Sequence, residues 1–156
     1  MAPSTDENLR PDHIGWPLWQ AAFLWKEAYI AAMQEAGHNW YGKAQSNITA
    51  FLDPKGTRQR DLVERSGLTK QAVQQLVDDL EAAGIVYRAP DPRDKRAKII
   101  HYTKAGKTAL RDGARIKRQI EARMTEGLGK QGMAQLRALL EQVIESGFPE
   151  KDDAGR

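Results

Sequence analysis

The stretch from Ser66 to Tyr102 constrains the fold most. Gly67 closes the short polar segment "RQRDLVERS". Two residues later Thr69 opens a run with Val73, Leu76, Val77 and Leu80 at helical spacing. Gly84 ends that run. Then "IVYRAP", a Pro/Asp-rich turn "DPRDKR" and "AKIIHYT" follow without a gap. The order predicts helix, glycine turn, capped helix and a two-stranded hairpin. Leu68 is placed to pack between the two helices. The sharp change from a period of 3.6 to β-branched and aromatic residues allows few alternatives.

Charge singles out the same region. Residues 54–107 hold 12 basic and 7 acidic side chains, whereas the rest of the 156-residue chain holds 12 and 14. Positive charge concentrated on one lobe suits a phosphate-bearing partner, although a solvated basic face would have the same composition. There are no cysteines, which excludes disulfides and thiolate metal sites. His13, His38 and His101 lack metal-ligand spacing, and no nucleophile elbow, phosphate loop or paired-carboxylate setting is present. The expectation is a protein that is not an enzyme and carries no metal or cofactor. No apolar run reaches bilayer length, so no membrane partner is expected. The polar, acidic first thirteen residues do not read as a signal peptide, and a cytoplasmic, nucleoid-associated location is expected.

On either side the pattern is helical. From Trp16 to Ala36 a wide apolar face carries Leu18, Ala22, Trp25, Tyr29, Ala32, Met33 and Ala36, broadened by Trp19, Phe23 and Ile30. A short helix over 41–52 follows. Thr103 caps a helix through Leu128, the "GLGKQG" stretch at 127–132 breaks it, and a last amphipathic helix carries Met133, Leu136, Leu139, Leu140, Val143 and Ile144. Such apolar faces suit burial against a partner.

A hairpin after a helix-turn-helix is a wing. On the second helix, Lys70, Gln71, Gln74 and Gln75 lie opposite the apolar side. Glutamine can pair its donor and acceptor with base edges, and it is equally an ordinary helix-surface residue. Residues 68–107 resemble the recognition helix and wing of the MarR (multiple antibiotic resistance regulator) family. The resemblance rests on Leu68-Thr69-Lys70, Val73, Leu76-Val77, Leu80-Glu81, Gly84-Ile85-Val86, Asp91, Asp94-x-Arg96, Ala97-Lys98, Thr103 and Gly106. It implies a mainly α fold with a small β-hairpin, a winged helix-turn-helix flanked by N- and C-terminal dimerisation helices.

The expected layout is a single MarR-like domain over 1–156. Residues 54–104 form the DNA-binding lobe, 14–52 and 105–148 the helical dimerisation region, and 1–13 and 149–156 flexible ends. The function implied is a homodimeric transcriptional regulator, a ligand-responsive repressor on pseudo-palindromic double-stranded DNA. A protein-interaction module, or a DNA-binding regulator without a ligand, is the alternative. The implied DNA contacts are Thr69, Lys70, Gln71, Gln74, Gln75, Arg93, Asp94, Lys95 and Arg96, with Arg96 entering a minor groove and Asp94 orienting it or shaping the turn. Gln75 departs from the strongly basic residue many members carry there. A small aromatic or phenolic effector is the ligand class implied. Trp25, Tyr29, His38, Trp40 and Tyr41 are its candidate walls, with dimer-interface core as the competing role for the tryptophans.

Overall fold

The computed structural model describes residues 13–147; the expected flexible ends lie outside them, apart from His13. The elements are α1 (Gly15–Glu35), a 3-10 helix (Ala44–Phe51), β1 (Thr57–Arg58), α2 (Gln59–Ser66), α3 (Lys70–Ala82), β2 (Val86–Asp91), β3 (Asp94–Tyr102) and α4 (Lys104–Ser146). The chain separates into two compact units, one through Ile116 and one from Lys117. No described helix is long and apolar enough to cross a membrane.

In the first unit, the helix-turn-helix forms where the punctuation dictates. Gly67 takes φ 65°, a left-handed conformation that costs a side-chain-bearing residue energy. The Thr69 hydroxyl accepts from the Ala72 amide and caps α3. Val73, Val77 and Leu80 are wholly buried with Leu62, Ile48, Ile85, Val86, Ile100 and Tyr102, and Leu76 is half-buried against them. Leu68 departs from expectation: it is 40% exposed and does not fill the space between the helices. The buried cluster there holds Leu62 with Val73, Val77 and Leu80, and Leu68 is outside it.

The wing also differs in detail. Its turn is shorter than "DPRDKR", because Asp91 and Asp94 pair with each other as the last rungs of β2 and β3, after an irregularity at Pro90/Asp91. Strand order is β1-β3-β2, so Pro90 lies on an edge strand, where its missing N–H disrupts no ladder. The sheet has a third strand that the hairpin pattern did not show. Thr57 and Arg58 pair antiparallel with Ile100 and Ile99. The Tyr102 hydroxyl donates to the Thr49 carbonyl at 3.3 Å, which ties the sheet to the 3-10 helix, and burial pushes its pKa up to about 12.

The Thr103 hydroxyl accepts from the Gly106 amide and donates to the carbonyls of Gly84 and Ile85, coupling the start of α4 to the α3–β2 turn. Gly106 is required there, since a Cβ would stand 2.2 Å from the Ile85 carbonyl oxygen. Gly113 does not interrupt the helix. It admits the Tyr29 hydroxyl, 2.4 Å from where a Cβ would be, and so lets α1 approach α4. In the second unit the expected break narrows to one residue, Gly129, with φ 71° and ψ 164° inside an otherwise helical run. There the Arg137 guanidinium pairs with Glu121.

Much of the apolar surface remains open. On α1, Trp16 stacks on Trp19 at 5.1 Å and Trp19 on Phe23 at 5.3 Å, yet all three are exposed, as is Leu24; only Tyr29 and Met33 are buried. In the second unit Leu128, Leu139, Leu140, Val143 and Ile144 are exposed.

Candidate nucleic-acid interface

The start of α3 and the wing border a cleft of about 480 Å³, lined by Arg58, Gln59, Arg60, Val63, Lys70, Asp94, Arg96, Ala97 and Lys98. Five of these nine residues are cationic and one is anionic. Lys70 comes from the first turn of α3, Arg96 and Lys98 from β3, Arg60 from α2 and Arg58 from β1. Alternation along β3 puts Asp94, Arg96 and Lys98 on one side of the strand, while Ile100 and Tyr102 continue that side into the core. The ladder thus carries an apolar base and a cationic rim on one stretch of chain.

Two aspartates shape the wing. Asp94 Oδ1 accepts from the Arg96 amide at 2.9 Å, so its observed role is to fix the turn backbone from which Arg96 projects. Asp91 does the larger work at the base. It is buried, accepts from the Arg93 amide at 2.8 Å, and pairs with Arg58 Nε at 2.5 Å. The Arg93 amide first, and then Arg58, hold its carboxyl below the usual carboxylate range, against the opposing effect of burial. Arg58 therefore locks β1 to the wing as well as lining the cleft.

Along α3, Lys70, Gln71, Gln74 and Gln75 are exposed, and Thr69 is exposed at the cap. The glutamines are not equivalent. Gln75 donates to Asp79 Oδ1 at 3.0 Å. Gln74 accepts from Gln59 Nε2 at 2.6 Å and donates to Asp78 Oδ1 at 3.0 Å. Asp78 in turn holds Arg88 at 2.7 Å, and the same guanidinium pairs with Glu81, whose other oxygen accepts from the Arg88 amide at 3.0 Å. Arg93 and Arg96 are exposed on the wing; Lys95 lies on β3, and its side chain is outside those described.

Thus the structure brings Lys70, Asp94 and Arg96 to one cleft and arrays the glutamines along α3, with Arg93 farther out at the wing turn. The sequence reading missed Arg58, Gln59, Arg60 and Lys98 in the cleft and Arg88 behind it. Arg88 had a signal: Asp78 and Glu81 are spaced i, i+3 on a helix facing the next strand.

The residues considered as ligand walls pack against one another. Trp25 stacks on Tyr29 at 5.4 Å, Tyr29 meets Tyr41 edge-on at 5.2 Å, and Tyr41 meets Trp40 at 5.3 Å. His38 Nε2 lies 2.9 Å from Asp112 Oδ2, and this contact, ahead of Arg115, lowers the Asp112 pKa. Burial raises the pKa of Tyr29 and Tyr41. The indole N–H of Trp40 is buried without a hydrogen-bond partner.

Residues 48–97 match the family model described as MarR family. Comparison with curated protein sequences returned no match. Among solved structures, a MarR-family transcriptional regulator from Rhodococcus sp. RHA1 is similar at 26% identity and TM-score 0.62, over 86% of this chain and 94% of that one. A probable transcriptional regulator from Pseudomonas aeruginosa is 22% identical, TM-score 0.64, over 84% and 96%. MepR of S. aureus, in a complex with DNA, is 18% identical, TM-score 0.67, over 88% and 100%. The matched segment runs from the 3-10 helix to the wing, and the fold is shared along most of the chain: residues 48–97 form a winged helix-turn-helix segment that matches the MarR family, within a fold similar to that of the Rhodococcus MarR-family regulator.

Proposed function

We propose that the protein is a sequence-specific double-stranded DNA-binding regulator. One observation carries the reading: five cations from four elements converge between α3 and the wing, beside an exposed row of glutamines. A helix about 20 Å long and one side chain wide fits a major groove, while the wing reaches the neighbouring backbone. Arg96 is the wing residue that enters a minor groove, where a narrow A·T-rich segment concentrates negative potential. Selection of bound fragments from genomic DNA tests this. A shared motif is expected, and recovery of sequences without any motif contradicts it.

The exposed apolar faces of α1 and of the second unit are proposed as homodimer surfaces. A face bearing Trp16, Trp19, Phe23 and Leu24 is too apolar to stay in water unpartnered. A twofold dimer reads two half-sites, so the motif should be a pseudo-palindrome. Bound over a promoter it would block transcription by occupancy, which makes it a repressor. Sizing with light scattering at micromolar concentration should give twice the 17.5 kDa chain mass; a folded species of single-chain mass would contradict this. The unpartnered Trp40 N–H within the aromatic row supports a small aromatic effector that supplies an acceptor. Titration with benzoate should change tryptophan fluorescence in a saturable way, and a flat response would remove benzoate-like anions as effectors.

A further inference from the structure

We infer that Asp78, held by Arg88, is a specificity-determining positioning residue that fixes which way the Gln74 amide faces. The inference rests on the DNA-binding reading. A glutamine amide has an acceptor end and a donor end, and a free one rotates to present either. Gln74 is not free. The Asp78 carboxylate only accepts, so Gln74 must turn its NH2 group towards it, and Nε2 lies 3.0 Å and 3.3 Å from the two carboxylate oxygens. The Gln74 carbonyl then faces the opposite way and accepts from Gln59 Nε2 at 2.6 Å. One N–H and one lone pair are left for a base, with their order along the helix already set.

Asp78 is itself prevented from turning away. Arg88 projects from β2 with only 16% of its side chain exposed, contacts Asp78 at 2.7 Å, and is anchored on its other side by Glu81. The Glu81 carboxylate also accepts from the Arg88 amide, so the guanidinium is held at both ends of its own residue. The chain Glu81–Arg88–Asp78–Gln74–Gln59 therefore transmits the rigidity of the sheet to the amide of one exposed side chain. Base discrimination by a paired donor and acceptor needs that polarity to be fixed before contact, because a flipped amide offers the reverse pattern.

Asp78→Asn tests this. Asparagine can donate as well as accept, so it permits both orientations of the Gln74 amide with almost no change of shape. Relative affinities are measured for duplexes that vary each base pair of the selected motif. The expected result is loss of preference at one base pair per half-site, by about five- to a hundredfold, the range a paired contact supplies. The salt dependence of binding and the melting temperature should stay as in the parent. In a Gln74→Ala background, Asp78→Asn should have no further effect. Arg88→Lys is the second variant, to be read at the same base pair if Asp78→Asn melts early. Retained preference in Asp78→Asn and Arg88→Lys, where Gln74→Ala loses it, overturns the inference and leaves DNA binding intact. Failure of the parent to select any duplex overturns the DNA reading and the inference together.

Discussion

Leu80→Ala should lower unfolding stability by about 2–5 kcal/mol, the range for truncating a buried leucine. Leu80 has no exposed surface and sits where α3, the α3–β2 turn and the sheet meet, among Val77, Ile85, Val86 and Ile100. Its carbonyl also accepts from the Ile85 amide at 2.9 Å, so the turn that aims the wing is built on this residue. Tight helix-to-sheet packing leaves little room for collapse into the cavity, which favours the upper half of the range. A domain of this size has about 5–15 kcal/mol in total, so the loss would be a large fraction. Urea denaturation followed by circular dichroism measures it. A loss below about 1 kcal/mol would mean that the α3–sheet contact is not the core of the lobe.

The second large effect concerns affinity. Arg96→Ala should weaken binding to the selected duplex by at least about 1 kcal/mol, the order of one specific contact. The side chain is exposed, so little stability should be lost. Its backbone is held by Asp94 and its strand by Asp91 and Arg58, so the arginine is presented on a stiff support and little ordering cost is left to binding. Fluorescence anisotropy at fixed salt reads the loss. Unchanged affinity would assign the wing to another partner and favour the protein-interaction alternative.

Local chemistry made part of this legible in the sequence. Thr69 and Gly84 bracket α3 because a hydroxyl cap and a left-handed glycine are local signals, and four apolar positions fix its buried face. The wing was legible because a Pro/Asp turn between β-branched runs has few other outcomes. β1 was not, since Thr57 and Arg58 become a strand only by pairing with Ile100 and Ile99, more than forty residues away. The same long separation concealed the cleft: Arg58, Arg60 and Lys98 lie on three elements, and their convergence depends on sheet register. Gln74 was identified as a candidate base reader, but its link to Arg88 crosses from α3 to β2, and the i, i+3 spacing of Asp78 and Glu81 is the one local trace of it. Leu68 misled for the opposite reason. A leucine in a short turn reads as a plug, yet Leu68 is 40% exposed and the buried cluster is built from Leu62 and the α3 side chains.

On the proposed DNA-binding function, the cationic cleft between α3 and the wing seats DNA phosphates. The most direct test is the affinity of the parent for its selected duplex across a range of salt concentrations, compared with an Arg60→Ala/Lys70→Ala/Lys98→Ala variant. Each phosphate neutralised contributes about 0.9 to the slope of log affinity against log salt. A steep parent slope is expected, falling by about 2–3 in the variant. Equal slopes in the two proteins, or a parent affinity indifferent to salt, would contradict it.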